Sequence, residues 1–229
     1  MELHDYAKVG DAESVRTWLQ SNPNDVDCLD KDGWTPLTLA ALHGHFTVVK
    51  ALLDSGANVN QPADWQTATA LHWAVREGHV EIAKLLLDGG AKARTQAVNG
   101  VSPLHTAARY SKLEIAGILL ERKSFVDAKD NDGLTPLDYA LAHSSAEMVA
   151  LLLSHGANVN SKTELCVTPL HFAVRRKDPN LDVVRLLLDH GADVSARDSS
   201  ERTPLDDAKA TNKTGIVSIL SSHVGGENR

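Results

Sequence analysis

The 229-residue chain is acidic, with a formal net charge of −7, and only 4% of its residues are aromatic. The charge argues against nucleic acid as a ligand, because phosphate neutralisation needs a basic face. No apolar run approaches the ~18 residues of a membrane span, the start "MELHDYAKVG" lacks a secretory pattern, and Cys28 and Cys166 stand too far apart in sequence for a metal spacing or a disulfide framework, so a reducing, intracellular setting is expected.

A repeat dominates the rest. The leucine of a "TPL" element falls at Leu37, Leu71, Leu104, Leu137, Leu170 and Leu205, with spacings of 34, 33, 33, 33 and 35 residues, and Leu3 fits the same frame. A second anchor, Gly-Ala, falls at Gly56, Gly90, Gly156 and Gly191. In chain order the predicted units are 1–29, 30–63, 64–96, 97–129, 130–162, 163–197 and 198–224, and 225–229 reads as a flexible tail.

Each unit predicts two short helices. A Gly-containing turn ("DGWTPL", "NGVSPL", "DGLTPL") leads into Thr or Ser, which can cap a helix, and then Pro, which fits its first position. A second helix carries "VVKALL", "EIAKLLL" or "DVVRLLL" and stops at a glycine able to take the left-handed conformation. Neither helix can bury its apolar face alone, whereas stacking on the next unit buries both.

Two units depart from the pattern. The fourth writes Lys123-Ser124 where others write Gly-Ala, which reads as drift rather than as a local change of curvature. The sixth inserts two residues in "RRKDPNLDVV", a tolerated loop insertion in which Pro179 is expected to end the first helix. The first and last units carry polar residues (Glu2, Asp5, Lys8, Asp11 and Glu13; Asp207, Lys209 and Lys213) suited to capping the array, which is expected to be complete.

The T-P-L-H and G-A-x-V-N signatures resemble the ankyrin repeat family over residues 1 to about 224, in seven repeats, and the length is similar to gankyrin-type proteins that consist of repeats alone. The resemblance implies an all-α solenoid of helix-turn-helix units with β-hairpin fingers along one edge. It also implies a protein-binding surface rather than an enzyme, with no cofactor and no metal.

Eleven histidines invite a catalytic or metal reading. His72, His105 and His171 occupy the H of "TPLH", His45 and His79 the H of "GH", and His155 and His190 precede the closing Gly. In the family these positions bridge backbone groups between units. No HExxH, CxxC, phosphate-binding glycine loop or GxSxG is present.

At about 100° per residue, positions two, five and six after the motif leucine fall on the face opposite the packed alanines. In an ankyrin-like stack that face lines a concave groove. Position two reads Leu39, Trp73, Thr106, Tyr139 and Phe172; positions five and six include Arg76, Arg109, Tyr110, His143, Arg175 and Arg176. The groove is thus expected to be aromatic and basic, although the aromatics can instead fill gaps between neighbouring first helices. Finger tips add Trp34, Trp65, Val98, Val101, Leu134, Leu165 and Val167.

Trp34, Trp65, Trp73, Arg76, Arg109 and Tyr110 are expected to form one binding patch, extended by Val98, Val101, Leu134 and His143, because such residue types dominate interfaces. Asn60 and Asn160 end the "GANVN" element; the resemblance makes them candidates for asparaginyl hydroxylation. The expected function is that of an intracellular adaptor or scaffold, cytoplasmic or nuclear and monomeric. Its partner would be a protein segment with acidic and apolar residues, not nucleic acid or membrane. Two other readings are a stoichiometric inhibitor of an enzyme such as a kinase and a histidine-dependent metalloenzyme.

Overall fold

Thr35, Thr168 and Thr203 show why the helices begin where they do. Each stands in extended backbone just before a proline. The Thr35 and Thr203 hydroxyls accept N–H groups of the new helix, from Thr38 at 3.1 Å and Asp206 at 3.2 Å. The computed structural model describes residues 2–63, 67–143 and 145–224. Among these, fourteen α-helices carry the chain: α1 Leu3–Val9, α2 Ala12–Ser21, α3 Pro36–Leu42, α4 Phe46–Asp54, α5 Ala70–Glu77, α6 Val80–Asp88, α7 Pro103–Arg109, α8 Leu113–Glu121, α9 Pro136–His143, α10 Ala146–Ser154, α11 Pro169–Arg175, α12 Leu181–Asp189, α13 Pro204–Ala210 and α14 Thr214–Val224. None is long and apolar enough to cross a membrane.

Helices of seven to eleven residues are marginal alone, so their stability comes from packing. The chain divides into two compact units, residues 1–107 with 114–124, and residues 108–113 with 125–229. In the first, α3 packs between α1 and α5, while α4 packs between α2 and α6. In the second, α11 packs between α9 and α13, and α12 between α10 and α14. The motif leucines Leu37, Leu71, Leu104, Leu137 and Leu170 are fully buried, each contributing roughly 1.5–3 kcal/mol.

Histidines join neighbouring repeats. In His72 the Nδ1 accepts the Thr69 N–H at 3.2 Å, so Nε2 carries the proton and donates to the Val101 carbonyl of the next repeat at 3.3 Å. His171 repeats this with Thr168 and the Arg202 carbonyl, at 3.3 and 2.9 Å. His45 and His79 reach backwards, to the Lys8 and Leu42 carbonyls at 2.9 and 3.2 Å. Lys213 occupies the same register in the last repeat, and its ammonium donates to the Arg176 carbonyl at 2.5 Å.

The loops between repeats are tight turns rather than extended hairpins. Each is closed by two backbone bonds: Asp30 N–H to Trp34 O with Gly33 N–H to Asp30 O, and likewise Ala97 to Val101 with Gly100 to Ala97, Asp130 to Leu134 with Gly133 to Asp130, Thr163 to Val167 with Cys166 to Thr163, and Asp198 to Arg202 with Glu201 to Asp198. Among the described residues the one β-bridge pairs Ala63 with Ala68.

The two departures from the repeat take different forms. Lys123 stands at φ 60°, in the left-handed conformation its register requires. The first helix of the sixth repeat, however, ends at Arg175 and not at Pro179. Pro179 instead precedes Asn180, whose Oδ1 caps α12 by accepting the Asp182 N–H at 2.9 Å.

Candidate functional site

The +2 position lies deeper than rotation about an isolated helix suggests. Leu39, Trp73 and Thr106 are each only 8% exposed, and Tyr139 and Phe172 are half-buried. Neighbouring first helices sit close enough for these side chains to fill the space between them. Trp73, expected on an exposed face, is therefore a packing residue. Positions five and six are the ones that reach solvent: His43, Glu77, Arg109, Tyr110 and His143 are exposed, and Arg76 and Arg176 partly so.

In the first unit Trp34 and Trp73 meet with ring centroids 5.0 Å apart and planes tilted by 51°. The Arg76 guanidinium lies 4.9 Å from the Trp73 ring centroid, a cation–π geometry, and its Nε is 3.6 Å from Glu77. Trp73 thus acts as a plate that positions the half-exposed Arg76. Trp65 lies outside the described residues.

In the second unit a basic cluster forms. Arg109 stands 5.8 Å from the Tyr110 ring centroid. The His143 imidazole is held below its ordinary value by partial burial and by the cations of Arg109 and Arg176. The Tyr139 hydroxyl donates to Asp130 Oδ2 at 2.9 Å, and burial together with that bond pushes its phenol upward. An Arg176 amino group donates to the Ala142 carbonyl, which fixes the side chain across the end of α9.

The loop residues divide similarly. Val98 and Leu165 are exposed, at 41% and 64%, as are Leu29 and Phe125, which the helix rotation missed because they lie on loops. Trp34, Val101 and Leu134 are half-buried and Val167 is buried. Val101 and Leu134 serve the frame: the Val101 carbonyl accepts His72, and the Leu134 N–H donates to Asp130 at 2.8 Å.

Three groups with metal-ligand chemistry come together in the second unit. His171, Asp198 and Asp207 are buried, with one donor atom each inside 4.8 Å of the others. Their atoms are already committed. His171 Nε2 donates to the Arg202 carbonyl, Asp198 pairs with Arg175, and Asp207 takes Arg175 and Arg202, both at 2.6 Å. Burial opposes the Asp198 charge, but the Arg202 N–H and the Arg175 guanidinium prevail and hold its carboxyl at about 2. Two arginines matching two aspartates make this a structural ion-pair network.

The comparisons with known proteins agree with this frame. A family model described as ankyrin repeats in three copies matches residues 3–97 and 89–163, and one described as ankyrin repeats in many copies matches 152–208. The chain belongs to the ankyrin-repeat family. The ankyrin repeat domain of Bcl-3 superposes with a TM-score of 0.82 at 32% identity, covering 91% of this chain and 93% of that one. The human ASB11 ankyrin repeat domain gives 0.81 at 31%, covering 95% and 97%. Matches to curated proteins are shorter: 44% identity over 61 residues with the Arabidopsis thaliana serine/threonine-protein kinase VIK, and 39% over 62 residues with the human ankyrin repeat and SAM domain-containing protein 3. Each covers 27% of this chain but only 14% and 10% of those relatives. Ankyrin repeat domains are generally non-catalytic protein-interaction modules, and the ankyrin fold supports a binding role here.

Proposed function

We propose that the chain is an intracellular adaptor or scaffold that engages a protein segment bearing acidic and apolar side chains. The observation that carries this is the second-unit cluster of Arg109, Tyr110, His143 and Arg176: cations and an exposed aromatic ring concentrated on first-helix ends of a chain with net charge −7. Cations steer an acidic partner during encounter, and exposed aromatics and arginines supply the energetic centres of interfaces. Arg76, held over Trp73, gives the first unit a cation of its own. The free thiols Cys28 and Cys166 suit a reducing compartment.

Affinity purification with the full chain as bait, followed by calorimetry with the recovered partner, tests the reading. Arg109→Ala with Tyr110→Ala weakens binding at least about thirtyfold, as loss of hot-spot residues does. Glu81→Ala and Lys84→Ala, on α6, leave it unchanged. Unaltered affinity in the first variant, with loss in the second, moves the functional face to the second helices.

A further inference from the structure

Four cations that the repeat does not require line one pocket of the first unit. The neutral G-A-N-V-N element at 56–60 and 156–160 becomes G-A-K-A-R at 90–94 and K-S-F-V-D at 123–127. Lys92, Arg94, Arg122 and Lys123 thereby surround a pocket of about 490 Å³, together with Leu87, Ala91 and Ala93. The corresponding positions at 53–60 with 89–90, one repeat earlier, carry no cation.

Two of the cations, Arg94 and Arg122, are held in place. Arg94 Nε donates to the Lys123 carbonyl at 2.7 Å, the role that Asn60 plays towards Gly90 in the preceding repeat. Arg122 bridges to Asp88 at 2.6 Å, whereas Lys92 and Lys123 are paired with no carboxylate among the described residues. Lys123 keeps a side chain at φ 60° where four other repeats have glycine at 82–90°. Sterics disfavour that conformation for any residue with a Cβ, so the charge stands there against local preference. A helix C-terminus attracts cations, but that covers Arg122 and Lys123 only; Lys92 and Arg94 lie beyond α6.

We propose that this pocket receives a phosphorylated side chain, phosphoserine or phosphothreonine, carried by a segment of a partner protein. A phosphate brings close to two negative charges and three acceptor oxygens, which converging arginines and lysines satisfy better than they satisfy one carboxylate. Leu87, Ala91 and Ala93 offer apolar contact to the neighbouring residues of the segment. Exposed Asp88 and Glu121, the last residues of α6 and α8, oppose a broad anionic surface such as a lipid bilayer more than they oppose a single phosphorylated side chain. The site uses the ends of second helices and is separate from the first-helix faces.

The test is fluorescence anisotropy of the full chain with a degenerate peptide pool fixed at a central phosphoserine, its unphosphorylated twin, and phosphatidylserine vesicles. The parent binds the phosphorylated pool at least about tenfold tighter than the twin, and raised salt weakens it. Lys92→Ala and Lys123→Gly each remove most of that preference. Lys123→Gly also relieves the left-handed strain, so its urea midpoint stays level or rises while binding falls, a divergence that a purely structural lysine does not produce. Equal affinity for the twin, capture by vesicles in place of the phosphopeptides, or undiminished binding by a folded Lys123→Gly variant overturns the proposal.

Discussion

Asp138 accepts the Thr135 N–H at 2.8 Å and the Thr135 hydroxyl at 2.7 Å on one carboxylate oxygen and leaves the other buried without a partner. His72 and His171 occupy the same register, and each has a second nitrogen that donates to the next repeat's loop. An ionised aspartate has no such donor.

Burial accordingly raises the Asp138 carboxyl from 3.8 to about 6, against the lowering effect of the Thr135 bonds. Between those values the folded chain holds a proton that the unfolded chain has lost, so this group's contribution falls as pH rises through the interval and is level above it. The expected loss is roughly 2–3 kcal/mol. Asp138→Asn is therefore more stable than the parent at neutral pH, and the gap closes as the pH approaches 4. Urea melts across that range measure it; a gap independent of pH shows that Asp138 is an ordinary carboxylate.

His72 has the opposite sign. Burial lowers its imidazole from 6.5 to about 4, because Nδ1 is needed as an acceptor and the charged ring has lost its water. Its contribution is complete above 6.5 and is lost as pH falls towards 4, up to roughly 3 kcal/mol. The two groups oppose each other over nearly the same interval, so the parent's profile is flatter than either single variant's. In His72→Gln the Asp138 contribution is left uncompensated, so the variant gains stability relative to the parent as pH falls from 6.5 towards 4. Parallel profiles for variant and parent contradict a buried neutral imidazole.

Gly44 and Gly56 both have positive φ, 78° and 89°, but only one is crowded. A Cβ on Gly44 comes within 2.6 Å of the His79 ring, while one on Gly56 meets nothing within 4 Å. Gly56→Ala is expected to cost about 1 kcal/mol of backbone strain. Gly44→Ala adds displacement of His79 from the Leu42 carbonyl, for roughly 2–3 kcal/mol in all. Equal thermal shifts in the two variants exclude the histidine contact as a source of stability.

Asn60 and Asn160 stitch repeats together through both ends of their amides. Asn60 donates to the Gly90 carbonyl at 3.1 Å and accepts the Lys92 N–H at 2.8 Å; Asn160 does the same with Gly191 and Asp193, at 2.9 and 2.8 Å. We expect both to accept one oxygen from an ankyrin-directed asparaginyl hydroxylase. Mass analysis of the tryptic peptides after incubation checks this, and an unchanged mass on both rejects it.

The repeat frame was legible in the sequence because its signals are local. The motif leucines, the capping Thr35 and Thr203 and the left-handed stop at Lys123 are set by neighbours a few residues away, so period and turn chemistry suffice to place them. What rotation about a single helix could not supply was the spacing between helices. That spacing buries Trp73 against Trp34, leaves Arg109 and Tyr110 outside, and ties Arg175 to Asp198 and Asp207 across 23 and 32 residues. The same holds for Lys92, Arg94, Arg122 and Lys123, which read as unrelated departures along the chain and share a pocket only because α6 and α8 end side by side. Contacts between repeats depend on distances that no periodicity encodes, and so the tertiary structure alone decided which departures belong together.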